Sequence, residues 1–313
     1  MNVGRWWPRV VGLALVALTV ALGVWRAKLP VRATDGRASH SAAPQRIASL
    51  TLGSDEMLAA LVPAERVVCV TSLADDPEIS NVPGFFPRSV ARLGDAAAER
   101  IVGMNPDLVC VASYNSADSL EVLRRSGLAL YQNEACQSID EIEAGLLAFG
   151  QKVGEPNRAA EVVRRMRERR RRLADRLGEI PDRPRVLFWS AGFTAGRKTT
   201  LDDIIREAGG SNVAVERGWE GSAEISPEQV IAAAPTFVLQ LRWSADAREG
   251  RIEGHPLLRD LPAVRENRVI AIEGKYLSTV SHHVVEGVER LARKLHPDRF
   301  LDDEPSSQPT DEG

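Results

Sequence analysis

The sequence contains few cysteines and histidines and carries almost no net charge. Only three of its 313 residues are cysteine and five are histidine, and the formal net charge is −3. Three cysteines without metal-ligand spacing give no disulfide framework, and the histidines show no second cluster for a multi-histidine zinc or manganese site. The charge gives no electrostatic case for a nucleic-acid partner. These scarcities argue against a disulfide scaffold, a metal-ion receptor and a nucleic-acid binder.

Long apolar runs are also missing, except at the N terminus. There two arginines precede an apolar run from Val10 to Trp25, and a motif of small residues ends at Ala33. The run has about 16 residues, fewer than the about 20 that a membrane-spanning helix needs. A basic head, an apolar middle and a small-residue exit predict an export signal over residues 1–33, with an uncleaved membrane anchor as the alternative.

Beyond this segment, short apolar runs alternate with amphipathic helical patterns. Continuous apolar strands between helices are typical of a parallel sheet covered on both faces. The alternation stops at one long helical stretch and then starts again. We therefore predict an α/β protein with two Rossmann-like lobes joined by a single long α-helix, and a ligand cleft between the lobes. The predicted parts are a flexible linker (34–44), a first lobe (45–150), the connecting helix (151–181), a second lobe (182–301) and a disordered tail (302–313).

The predicted connecting helix is rich in arginine. Glutamates interleave with the arginines at helical spacing, and no aromatic residue accompanies them. A surface for nucleic acid or lipid is one interpretation of such a run. The interleaved glutamates favour a solvated helix face with ion pairs between neighbouring turns.

One short pattern occurs twice, once in each predicted lobe. In AAERIVGMNPDLVCVA and SPEQVIAAAPTFVLQL, a glutamate (Glu99 or Glu228) stands seven residues before the proline that opens a strand. The helix dipole favours an acidic residue in the first turn, which could account for both glutamates. In the second copy, however, Ser226, Pro227 and Gln229 already provide a capping box and a proline start, so Glu228 is left to point outward.

Aromatic residues make up only 5% of the sequence, yet several fall in predicted loops that follow strands. In parallel α/β lobes such loops lie at the carboxyl ends of the strands, where ligands bind. Flat aromatic rings beside cations suit a large planar or anionic metal chelate. The predicted ligand contacts are Tyr114, Trp189, Arg197, Trp219, Arg242, Trp243 and Tyr276.

Alternatives remain open for some residues of these loops. Trp189 directly follows the apolar run of a strand, so a place in the core accounts for it equally well. His282 and His283 stand where the last helix begins, and a polar first turn is favoured over contact with a ligand. No catalytic arrangement and no cofactor-binding motif stands out, so we expect a protein that is not an enzyme.

Four segments, in this order and spacing, resemble the periplasmic-binding-protein family for ferric siderophores, haem and cobalamin. They read RIASLTLGSDEMLAAL, LGDAAAERIVGMNPDLVCVAS, TTLDDIIREAGGSNVA and ISPEQVIAAAPTFVLQL, and the likeness extends over roughly residues 45–300. Members of this family are the solute receptors of ABC importers. The resemblance implies a monomeric receptor without a cofactor, in the periplasm or at the outer face of the cytoplasmic membrane.

The resemblance also implies a ligand and a partner. The ligand would be an iron chelate, either a ferric siderophore or haem, with cobalamin as the alternative. The partner would be an ABC permease dimer with separate ATPase subunits, and the resemblance assigns Glu99 and Glu228 to docking on it. Carboxylate–arginine pairs would fix the register of such a contact. The competing interpretation, an exported metal-dependent enzyme on a bilobed scaffold, would need a chelating cluster.

Overall fold

The computed structural model describes residues 43–94, 98–133, 136–243 and 251–303. The predicted export segment, residues 1–33, lies outside the described residues, as do most of the predicted linker and tail. No helix within the described ranges is long and apolar enough to cross a membrane. The predicted α/β fold with two lobes is confirmed.

The first lobe is built on a sheet of five parallel strands. Its strands are β1 (Ile47–Ser49), β2 (Val67–Thr71), β3 (Ala91–Leu93), β4 (Leu108–Ala112) and β5 (Leu130–Asn133). Its helices are α1 (Leu52–Leu61), α2 (Ala98–Gly103), α3 (Ala117–Arg125) and α4 (Ile139–Lys152). The strand order is β3-β2-β1-β4-β5. Strands β1 and β4 are buried along their whole length, as expected where helices cover both faces of a parallel sheet.

A long helix, α5 (Pro156–Leu177), connects the two lobes. Its buried side chains recur at three- to four-residue spacing and include Ala159, Val162, Met166 and Leu173, so one stripe of the helix packs against the core. The hydrophobic core that contains this stripe runs without a break from the first lobe into the second. The helix is therefore part of the packed body.

The arginines of α5 explain how the helix is held in place. Arg167 and Arg170 both donate to the buried Glu143 of the first lobe, at 2.6 and 2.7 Å. Arg170 also donates to Glu207 of the second lobe at 2.6 Å. Other arginines of the helix, such as Arg164, pair with glutamates on the exposed face as the sequence predicts. Part of the arginine run therefore joins the lobes, a role that the periodicity of the helix does not reveal.

The second lobe repeats the topology of the first. Its strands are β6 (Arg185–Phe188), β7 (Phe193–Ala195), β8 (Ser211–Asn212), β9 (Ser222–Glu224), β10 (Phe237–Arg242) and β11 (Val269–Glu273). Its helices are α6 (Thr200–Glu207), α7 (Val213–Glu216), α8 (Pro227–Ala233), α9 (Pro262–Arg265), α10 (Gly274–Leu277) and α11 (Val284–Leu295). The parallel sheet has the order β11-β10-β6-β8, which matches β5-β4-β1-β2 of the first lobe.

One element of the second lobe differs from the sequence prediction. Strands β7 and β9 pair antiparallel, with Phe193 opposite Glu224 and Ala195 opposite Ser222. Both strands lie in stretches that we expected to be loops. They have only three residues each, too few for a periodic apolar pattern to show in the sequence.

Candidate functional site

The two lobes meet through a buried carboxylate on α1. Glu56 is 1% exposed. Its Oε1 atom accepts hydrogen bonds from the backbone N–H and the side-chain amide of Asn81, at 3.2 and 2.8 Å. Its Oε2 atom accepts hydrogen bonds from the hydroxyls of Thr279 and Ser281 in the second lobe, at 2.6 and 2.5 Å. One carboxylate therefore holds a loop of the first lobe and a segment of the second lobe together.

Further hydrogen bonds join segments that follow strands in the two lobes. Lys275, just after β11, donates from Nζ to the carbonyl of Pro77, in the loop after β2, at 2.9 Å. The carbonyl of Lys275 accepts a hydrogen bond from the Asn81 side chain at 2.8 Å. The segments that follow β2 and β11 therefore meet at the lobe junction, and the carboxyl ends of parallel strands are the edge at which α/β proteins commonly bind ligands.

Arg197 and Trp219, two of the predicted ligand residues, lie on neighbouring backbone segments. The N–H of Arg197 donates to the carbonyl of Trp219 at 2.9 Å, beside the β7–β9 pair. Gly196 permits this approach, because a Cβ at that position would lie 2.2 Å from the carbonyl oxygen of Trp219. The Arg197 side chain is exposed, and the Trp219 side chain is half-buried against the core of the second lobe.

Arg242, a predicted ligand residue at the end of β10, is already paired. Its guanidinium donates to Oε1 of Glu273 at 2.6 Å, and Arg290 approaches the other oxygen to 3.7 Å. Burial would raise the pKa of the Glu273 carboxyl, but hydrogen bonds from its own backbone and from Arg242 hold the pKa below its ordinary value. Arg242 therefore has less capacity for an anionic ligand than the sequence suggested.

Trp243 and Tyr276 lie near this ion pair. The indole of Trp243 covers Gly274, where a Cβ would come within 2.6 Å of the ring. Arg290 stands over the ring of Tyr276 at 4.3 Å from its centre, an arrangement in which the cation is attracted by the aromatic face. Both aromatic side chains are half-buried, so each keeps part of its surface accessible.

Tyr114 and Trp189, the remaining predicted ligand residues, lie in contrasting places. Tyr114, in the loop after β4, is 58% exposed. Trp189 is 4% exposed and packs in the core of the second lobe, with its ring centre 6.0 Å from that of His255. The structure therefore places Trp189 in the core position that the sequence analysis left open as its alternative.

Phe85 is an exposed aromatic residue that sequence reasoning did not single out. It is 47% exposed, and its ring packs edge-on against the buried Phe86 at 5.1 Å. It lies four residues after Asn81, whose side chain contacts the second lobe, and the N–H of Phe85 donates to the carbonyl of Val82 at 3.2 Å. The sequence does contain a signal for an exposed aromatic ring here, namely two adjacent phenylalanines in a loop, since neighbouring side chains seldom both reach the core.

His282 and His283 stack on each other just before α11, with ring centres 4.0 Å apart. Burial lowers the pKa of His282 to about 3 and also lowers the pKa of His283, so both imidazoles are uncharged at neutral pH. His283 is the cap residue of α11 but makes no capping hydrogen bond with its side chain. Within the described ranges, no three histidine, cysteine, aspartate or glutamate side chains are arranged to hold a metal ion.

Asp55, next to Glu56 on α1, is fully buried in the first lobe. Its Oδ2 atom accepts hydrogen bonds from the N–H and the hydroxyl of Thr71, at 3.2 and 2.6 Å. Its Oδ1 atom has no hydrogen-bond partner among the described residues. Burial raises the pKa of Asp55 to about 7 in spite of these hydrogen bonds, so the carboxyl is partly protonated near neutral pH.

A cavity of about 420 Å³ lies beside the lobe junction. Its wall comes mainly from the first lobe, including Met57, Tyr131 and Ile142, and Val280 closes it from the second lobe. Glu141 also lines it, and no described lysine, arginine or histidine does. The cavity therefore does not attract an anion, and the predicted ligand residues lie elsewhere.

Glu99 and Glu228 occupy the same position in matching parts of the two lobes. Each is the second residue of a short helix, α2 or α8, and each side chain is exposed. In both lobes the residue before the strand-opening proline has a left-handed backbone, with φ of 48° at Asn105 and 45° at Ala234. The repeated sequence pattern therefore adopts the same backbone conformation in both lobes.

An arginine holds the end of each of these helices in the same way. Arg46, just before β1, donates to the carbonyls of Met104 and Asn105 at 2.6 and 3.2 Å. Arg185, the first residue of β6, donates to the carbonyls of residues 233 and 234 at 3.0 and 2.8 Å. Both arginines satisfy carbonyls that a helix terminus leaves without partners. The two glutamates are therefore presented by equivalent, similarly braced helices.

The capping box at the start of α8 is present as the sequence predicts. The Ser226 hydroxyl accepts the N–H of Gln229, and the Gln229 side chain accepts the N–H of Ser226. Glu228 is not wholly outside this arrangement, because hydrogen bonds from the Ser226 side chain and from its own backbone lower its pKa. The Glu228 carboxylate is nevertheless exposed and ionised, as a docking role requires.

Comparisons with known proteins agree with this architecture. Residues 47–276 match the family described as periplasmic binding protein. A cobalamin-binding protein from Halobacterium salinarum is 26% identical over 265 residues, 81% of this chain and 70% of that protein. A substrate-binding lipoprotein of an ABC transporter from Bacillus subtilis is 22% identical over 269 residues, 82% of each chain. The solved structure of a periplasmic haem-binding protein from Roseiflexus sp. RS-1 has a TM-score of 0.67 at 28% identity, covering 82% of this chain and 99% of that one.

Proposed function

The chain belongs to the periplasmic binding protein family, and from this premise we propose that it is the exported substrate-binding subunit of an ABC importer. It takes up a metal chelate in the cleft between its lobes and delivers it, as a monomer, to a permease dimer. It performs no bond chemistry itself, and ATP hydrolysis belongs to separate subunits. The expected site of action is the periplasm or the outer face of the cytoplasmic membrane.

The proposed ligand is a tetrapyrrole-type metal chelate, either haem or cobalamin. The observation that carries this choice is the set of accessible aromatic side chains on loops, with Tyr114 58% exposed and Trp219 and Trp243 half-buried. Large flat rings stack favourably on such side chains. The cobalamin-binding and haem-binding relatives support the same class.

A strongly anionic ferric siderophore, which the sequence analysis gave together with haem as the expected ligand, is less well supported. Such a ligand needs unpaired cations in the cleft. Arg242 is bound to Glu273, and Lys198 is bound to Glu220 at 2.6 Å, so two of the nearby cations are already occupied. Arg197 keeps an exposed side chain and would serve one of the carboxylates or amides at the edge of a tetrapyrrole.

Ligand binding is tested by titrating the purified protein with haemin, cyanocobalamin and a ferric hydroxamate, read by tryptophan quenching and by absorbance. We expect saturable binding of one tetrapyrrole at about 1 μM or tighter. Tyr114→Ala should weaken it about two- to tenfold through loss of a stacking ring, and Tyr114→Phe should retain it. No binding of either tetrapyrrole at about 10 μM would refute the ligand class, and binding of the hydroxamate alone would replace it.

Delivery to the permease is tested separately through the two exposed glutamates. Glu99→Arg combined with Glu228→Arg should leave the affinity for the chelate unchanged and stop its uptake by cells, because reversed charges would face the arginines of the permease. Glu179→Arg changes an exposed charge at the end of α5 and is the matched control. Undiminished uptake by the double variant would contradict the docking role.

A further inference from the structure

A groove with an apolar floor lies between α4 and α5. Its volume is about 370 Å³, within the range of about 300–1,000 Å³ that is usual for small-molecule sites. Leu147 of α4 and Ala160 and Val163 of α5 line it. Leu147 is half-buried against the core and Ala160 is exposed, so part of this apolar surface is accessible to a ligand.

Three arginines of α5 and one glutamate form the rim of the groove. Arg167 is 64% exposed, although its guanidinium donates to Glu143, which is only 3% exposed. Arg164 pairs with Glu168, the glutamate of the rim. Arg171 is exposed and forms no ion pair with any described residue. The rim therefore has an excess of positive charge, and the Arg171 guanidinium is open to an anion.

The composition of the groove selects one class of anion. Single-stranded nucleic acid stacks its bases on aromatic side chains, and no described residue that lines the groove is aromatic. A membrane surface is bound by large apolar side chains that project from the protein. Both helices are fully described, and neither has a large apolar side chain that is exposed. A recess with an apolar floor and a cationic rim instead fits a single acyl chain that ends in a carboxylate.

We propose that this groove binds one molecule of a long-chain fatty acid. The acyl chain lies on the floor, and Arg167 and Arg171 hold the carboxylate. Arginine can bind a carboxylate through two parallel hydrogen bonds, and burial of methylene groups supplies further affinity. None of the predicted chelate contacts lines the groove, so this inference does not depend on the proposed function.

Isothermal titration calorimetry of the purified full chain with dodecanoate, below the concentration at which it forms micelles, tests the proposal. We expect one molecule to bind with a Kd on the order of 10–100 μM. Decanoate, which is two methylenes shorter, should bind about tenfold more weakly. Dodecyltrimethylammonium has the same chain with a cationic head and should not bind.

Two variants test the rim and the floor separately. Arg171→Glu should weaken dodecanoate binding by at least about fivefold, because repulsion replaces attraction. Ala160→Phe should abolish binding by filling the floor. Arg172→Glu is the matched control, since Arg172 is also exposed and without an ion pair to any described residue but does not line the groove. It should bind dodecanoate as the wild type does, and far-UV circular dichroism checks that all three variants fold.

Several results would overturn the proposal. The first is the absence of binding up to about 1 mM dodecanoate. Binding that Arg171→Glu and Ala160→Phe leave unchanged would place the fatty acid elsewhere on the protein. An equal loss from Arg172→Glu, or equal binding of dodecyltrimethylammonium, would show that the rim does not recognise the carboxylate. Binding to phosphatidylglycerol vesicles without binding of monomeric dodecanoate would assign the arginines to a membrane surface.

Discussion

Glu56→Ala is expected to destabilise the protein by releasing the two lobes from the carboxylate that they share. The substitution removes the acceptor of four hydrogen bonds, two from Asn81 and two from the hydroxyls of Thr279 and Ser281. The hydroxyl donors lie 223 and 225 residues away along the chain. No local structure can replace these contacts, so the loss acts on the packing of one lobe against the other.

The magnitude can be estimated from the groups that lose their partner. A hydrogen bond to a charged group contributes about 1.5–3 kcal/mol, and a buried donor left unsatisfied costs about 1–3 kcal/mol. Part of the hydrogen bonding is retained in the variant. The hydroxyls of Thr279 and Ser281 lie 2.9 Å apart and bond each other, and the Asn81 side chain still donates to the carbonyl of Lys275. The substitution also removes the desolvation cost of the buried carboxylate, and this offsets a further part of the lost stability. We expect a net loss of about 3–4 kcal/mol in the free energy of unfolding, which lowers Tm by about 6–15 °C.

Two comparison variants sharpen this test. Glu56→Gln keeps the shape and one acceptor oxygen, and the hydroxyls can accept hydrogen bonds from its NH2 group, so it should cost about 1–2 kcal/mol. Glu78→Ala removes an exposed carboxylate from the neighbouring loop and should change stability by less than about 0.5 kcal/mol. Urea unfolding at neutral pH, followed by tryptophan fluorescence, measures all three. A loss below about 1 kcal/mol for Glu56→Ala would refute the reasoning.

Three further perturbations address other parts of the molecule. Because burial raises the pKa of Asp55 from 3.8 to about 7, the folded state binds its proton more tightly, and stability from this group falls as pH rises through 7. Asparagine does not titrate, so the free energy of unfolding of Asp55→Asn minus that of the wild type should increase between about pH 4 and pH 8. Urea titrations measure this difference, and a difference that does not change with pH would contradict the reasoning. Gly196→Ala should displace the Trp219 carbonyl and lower both Tm and tetrapyrrole affinity, whereas Gly254→Ala, where a Cβ meets open space, should change neither. Arg170→Ala should cost about 1–2 kcal/mol in urea unfolding, and an equal loss in about 1 M NaCl would speak against an electrostatic link between the lobes.

The sequence predicted the α/β fold with two lobes and the pair of glutamates at equivalent helix starts. It did so because periodicity, capping residues and prolines act over a few neighbouring residues. It could not resolve residues whose place depends on distant partners. The Trp189 side chain lies in the core against His255, and Arg242 is bound by a carboxylate on the next strand, and the local sequence pattern reveals neither contact. The short strands β7 and β9 were missed because three residues carry too little pattern.

What the sequence by itself determined is the identity of the elements and the positions of Glu99 and Glu228 within them. Those depend on hydrogen bonds between residues at most four apart and on apolar faces that repeat along the chain. The tertiary structure alone decided which side chains hold the two lobes against each other. Arg170 reaches a carboxylate in each lobe, and Glu56 binds hydroxyls more than two hundred residues away. Such contacts leave no periodic trace in the sequence, because their partners become neighbours only when the two lobes have packed against each other.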